Sequence, residues 1–108
     1  VPELYEKRWA DVCEMGRILR SLEPFILSGE PIVELPAENV RGQTRAVALS
    51  DGQGRRRVLV IGLDYDNEAR ISLPTDCAGL TSRFGFTTRQ ADGKFLYRAD
   101  LRSCDLLQ

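Results

Sequence analysis

The period of the hydrophobic positions changes near residue 28. Upstream, in ELYEKRWADVCEMGRILRSL, Tyr5, Trp9, Val12, Gly16 and Leu19 recur at steps of four and three. That spacing gathers them on one face of a helix. Pro2 suits a first helical turn, and Glu3 and Glu6 favour the positive end of the helix dipole. Pro24 predicts a stop soon after Leu22, because it brings no amide hydrogen. The apolar surface is wider than one stripe: Leu4, Met15 and Leu22 extend it on one side, Cys13 on the other, and Ile18 sits almost opposite. A lone surface helix of a small domain needs less apolar surface. The pattern is that of a helix touching two bodies.

Downstream of residue 28 the period falls to two, with turn chemistry between the runs. PIVEL, TRAVALS, RRVLVIGLDY, ARISL, RFGFTTRQ, KFLYRA and RSCDLL read as strands. DGQG at 51–54 and ADGK at 91–94 are hairpin signals. In ARISL, Ala69, Ile71 and Leu73 point inward and Arg70 and Ser72 outward. In RFGFTTRQ, Phe84, Phe86 and Thr88 share a face. The strand RRVLVIGLDY is apolar on both sides, Val58 and Val60 on one and Leu59, Ile61 and Leu63 on the other, so both faces are covered. One cover is an opposing sheet and the other is the helix, with the small Ala46 and Ala48 letting it approach.

The expected fold is mainly β: an antiparallel sandwich of about seven strands with one N-terminal amphipathic helix packed against it. Residues 1–28 form the helix and connector, and residues 29–108 the sandwich. Trp9, Val12 and Leu19 are expected to form the structural interface on the sheet that holds Val58 and Val60, with the choice of strand face open.

Composition narrows the chemistry. The chain has 108 residues, 15 basic and 16 acidic, and a net charge of −1. That balance argues against a nucleic-acid partner, and no apolar run approaches the roughly 20 residues of a membrane span. With no histidine in the sequence, a zinc site or a histidine-based triad has no basis. Cys13, Cys77 and Cys104 lack metal spacing; they read as small buried thiols, with a Cys77–Cys104 disulfide as the alternative. VLVIG followed by LDYDNEARISLP has one glycine where a dinucleotide fingerprint has three, and it leads into a strand instead of a helix. No cofactor, metal ligand or catalytic residue is expected. Glu34 and Glu38 are the only carboxylate pair near an apolar strand, and they read as solvated or ion-paired. Asp64, Asp66, Asn67 and Glu68 read as an acidic turn, since they lack the full calcium-loop spacing. Arg55 and Arg57 fall on one side of the strand and Arg56 on the other, so RRR makes no single anion site.

The order of features resembles the end of a (β/α)-barrel glycoside hydrolase of the amylase and β-galactosidase type: a last barrel helix followed by a C-terminal β-sandwich. The residues that carry the resemblance are RWADVCEMGRILRSLEPFILSGEP, the hairpin RRVLVIGLDYDNEARISLP, and the last hairpin around ADGKF that closes with SCDLL. The resemblance spans nearly the whole chain. It implies a non-catalytic accessory domain that buttresses a catalytic barrel lying upstream in the same chain, and a secreted or periplasmic setting. Two other functions remain open. An independent carbohydrate-binding module would present exposed rings, for which Tyr65 and Tyr97 are the candidates. A protein-interaction domain would dimerise through an uncovered helix face.

Overall fold

The computed structural model describes residues 16–100 and 103–108. The expected contacts of Trp9 and Val12 lie outside the described residues, as does Cys13. Two antiparallel four-stranded sheets face each other. The first contains β1 (Val33–Leu35), β3 (Thr44–Ser50), β4 (Arg56–Gly62) and β8 (Ser103–Leu107), in the order β1-β3-β4-β8. The second contains β2 (Ala37–Arg41), β5 (Asn67–Ile71), β7 (Phe95–Ala99) and β6 (Thr87–Arg89), in the order β2-β5-β7-β6. A short 3-10 helix, Thr75–Cys77, follows β5. The fold is therefore the expected sandwich with a helix, built from eight strands among the described residues.

The core lies between the sheets. Alternation along each strand sends Ala46, Val58, Val60, Ile71, Phe95, Tyr97 and Leu107 into it, with Leu35 and Cys77. Ala69 and Ile71 are buried and Arg70 is exposed, as their alternation requires. The two hairpins form where the turn signals stand. The Asp51 carboxylate accepts the amides of Gln53 and Arg55 at 2.8 and 3.0 Å across β3–β4. Gln90 donates to the Lys94 carbonyl at 2.8 Å across β6–β7.

Four features depart from the expected pattern. The strand β2, AENVR in sequence, carries no period-two signal; it is an edge strand on β5 with an irregularity between Asn39 and Arg41. Its ladder is made by backbone groups, which leave no side-chain pattern. β4 and β5 are not a hairpin, because they belong to different sheets. The connection is an arch pinned by the buried Asn67, whose side chain accepts the Asp64 amide at 3.1 Å and donates to the Asp64 carbonyl at 2.7 Å. In RFGFTTRQ, Gly85 takes φ of 83° and breaks the alternation. Thr87, not Thr88, then faces inward, and Phe86 is left partly exposed. Finally, the helix, α1 (residues 16–26), runs through Pro24. Leu27 still donates to the Glu23 carbonyl at 2.9 Å. Burial of Phe25 beyond the proline offsets the lost amide hydrogen bond, and after residue 26 the chain turns away through Ser28 and Gly29, whose φ is 78°.

A buried carboxylate organises the long β5–β6 connection. Asp105, on the inner face of β8, accepts hydrogen bonds from the Ser82 and Thr87 hydroxyls and from the Phe84 amide. The segment it holds also pairs with β8: Thr81 and Gln108 exchange backbone bonds of 3.0 Å, and Arg83 donates to Leu106 at 2.9 Å. That contact covers an edge that would otherwise present unpaired backbone groups.

Candidate interaction surface

The outer face of the first sheet is apolar because β4 is apolar on both sides. Register sets Val47 opposite Leu59, Leu59 opposite Leu106, and Ile61 opposite Cys104. α1 lies on part of this face. Ile18, Leu22 and Phe25 form a second buried cluster with Leu49 and Leu106, and Leu59, Phe84 and Cys104 pack against it. Two guanidiniums hold the far end of the helix: Arg57 stands 4.9 Å and Arg55 5.7 Å from the Phe25 ring centroid. Ser28 Oγ lies 2.8 Å from the Phe25 carbonyl and 2.9 Å from that of Ser50, so its proton is shared between helix and β3.

The helix docks on the expected sheet and selects the strand face that the sequence left open, but not through Leu19. Val58 and Val60 point between the sheets, as do Ala46 and Ala48, and the helix meets Leu49, Leu59 and Leu106 instead. Leu19 is 56% exposed, and the residue that sequence spacing puts opposite the stripe, Ile18, is buried. The heptad neighbour of Leu19, Ile26, is 51% exposed. In the described part of the helix, Leu19 thus turns away from the sheet. The reason is that Phe25, which the expected stop at Pro24 excluded, joins Ile18 and Leu22 at steps of four and three and adds a large ring to that side.

Beside the exposed stripe lies a cleft of about 500 Å³. Its walls include Ile18 and Leu19 of α1, and its floor Leu59, Ile61, Leu63 and Cys104. Leu63 is 45% exposed at its rim. Burial pushes the Cys104 thiol above its ordinary value, and the neighbouring Asp105 acts in the same direction. That keeps it a thiol, not a thiolate nucleophile, at neutral pH.

The other candidate residues are placed as follows. Tyr97 is fully buried, so it is no stacking platform; its hydroxyl lies 2.7 Å from Ser103 Oγ. An alternating strand that faces a second sheet buries every inward ring, and the sequence does not mark the covered side. Tyr65 is 67% exposed at the tip of the β4–β5 arch. Glu34 lies on the outer face of the first sheet and makes a two-pronged ion pair with Arg45, at 2.8 and 3.0 Å. Glu38 pairs in register with the outward-facing Arg70 of the second sheet. The two carboxylates therefore lie on opposite outer faces of a sandwich whose sheets stand about 10 Å apart. They cannot flank one glycosidic bond. Two acids of the arch are paired with guanidiniums, Asp66 with Arg41 at 2.9 Å and Glu68 with Arg98 at 3.0 Å. Arg56 pairs with Asp76 at 2.7 Å. Cys77 and Cys104 are both free, one in the core between the sheets and the other under the helix, so the disulfide alternative is not realised.

Among the described residues, no group of three or more Cys, Asp or Glu side chains is placed to hold a metal ion. No described helix is long and apolar enough to cross a membrane. The chain matches no family model, no curated protein and no solved structure.

Proposed function

We propose that this chain is a non-catalytic accessory domain of a carbohydrate-active enzyme, and that it stabilises a catalytic barrel by packing against it. One observation carries the docking part of this reading: among the described residues α1 is apolar on two sides, the side with Ile18, Leu22 and Phe25 is covered, and Leu19 and Ile26 stand exposed, Leu19 at the wall of an apolar cleft. Fully burying one large aliphatic side chain contributes about 1.5–3 kcal/mol. Covering this stripe is thus enough to affect the stability of both bodies. The glycoside hydrolase assignment is supported by the order of helix, connector and sandwich. In this reading the domain supplies packing surface and the barrel supplies the reacting groups.

The test compares hydrogen exchange of the isolated 108-residue chain with that of the full-length gene product. Residues 16–28 and 59–63 are expected to gain protection in the full-length protein, and Cys104 to become slower to alkylate. Equal exchange and equal alkylation in the two proteins would refute the docking. A reading frame with no barrel upstream would refute the enzyme assignment alone.

A second reading, a carbohydrate-binding module, is favoured by Tyr65 only. Its exposed ring sits next to Asp64 and Asp66, at the arch where Arg41 pairs with Asp66. Saturable retention on an immobilised glycan that disappears with Tyr65→Ala would support it, and no retention across a broad glycan panel would remove it.

A further inference from the structure

We draw no further inference here: the strongest candidate, the cleft of about 270 Å³ between β1 and the 3-10 helix that is lined by Arg56, Asp76 and Cys77, carries nothing because its guanidinium and carboxylate are bonded to each other, its cysteine stands alone, and nothing in the structure points to a ligand.

Discussion

The hydroxyl of Tyr97 occupies the space that a side chain on Gly62 would need: a Cβ built on Gly62 would stand 2.7 Å from Tyr97 Oη and 2.9 Å from Asn67 Nδ2. All three residues are buried where β4 leaves the first sheet for the arch. The glycine that ends the run VLVIG is therefore a matter of room for a tyrosine from the opposite sheet. Gly62→Ala is expected to destabilise the domain by about 1–3 kcal/mol, as overpacking does. Tyr97→Phe removes only the hydroxyl and is expected to lose about 1 kcal/mol with its bond to Ser103. In the double variant the clash with the hydroxyl is relieved while that with Asn67 remains, so the two losses should be less than additive in urea unfolding. Strict additivity would show that the two sites do not touch.

The two sides of α1 should respond oppositely to substitution. Phe25→Ala empties a buried site between Arg55 and Arg57 and is expected to cost about 3–5 kcal/mol. That lowers the melting temperature of the isolated chain by more than about 10 °C. Leu19→Ser replaces a half-exposed side chain and should change stability by no more than about 0.5 kcal/mol. In the full-length protein the same Leu19→Ser should lower thermal stability clearly. If it leaves both proteins unchanged, the exposed stripe is not an interface.

Asp105 is expected to be the most sensitive acidic position in the sandwich. Asp105→Ala leaves the Ser82 and Thr87 hydroxyls and the Phe84 amide without their acceptor. The buried Thr87 hydroxyl so orphaned costs about 1–3 kcal/mol, and the half-buried Ser82 and Phe84 donors cost less. The loss should be read as faster hydrogen exchange at residues 81–87 before the rest of the domain unfolds. Uniform exchange with unchanged stability would contradict the anchoring role.

Acid should weaken the fold through two exposed pairs. The hydrogen bond and charge of Arg45 hold the Glu34 carboxyl below the ordinary glutamate value, and the hydrogen bond from Arg56 does the same for Asp76. A carboxylate whose pKa is lower folded than unfolded contributes stability above the unfolded value and loses it as pH falls through the folded one. The contribution is thus complete above about pH 5 and fades below about pH 4. Because both pairs are solvent-screened, the effect is small. Glu34→Gln should flatten part of the decline in melting temperature between those limits, and added salt should reduce the difference between variant and parent. A variant with an unchanged acid limb would place the acid sensitivity elsewhere.

Catalysis is expected to be absent from the isolated chain. Turnover of an aryl glycoside by the purified protein, abolished by changing one of its own Asp or Glu residues, would overturn the accessory reading.

Alternation and turn chemistry are local, and they settled the class of this fold. DGQG and ADGK close hairpins because Asp and Gly supply the acceptors and the backbone freedom that such turns need, whatever surrounds them. The two-sided apolar run around Val58 to Ile61 required two covers, and it has a sheet on one side and a helix on the other. Periodicity says which residues share a face but not what that face meets. Whether Leu19 or Ile18 turned inward was decided by Phe25 and its two arginines. Whether Tyr97 was platform or core was decided by the sheet opposite. β2 was recruited by backbone bonds along β5, and backbone bonds are common to all sequences. Glu34 and Glu38 are four residues apart in the chain and on opposite faces of the protein, because the chain changes sheets between them at Pro36. Separation across a sandwich is a property of the assembled layers, and no span of sequence shorter than the domain contains it.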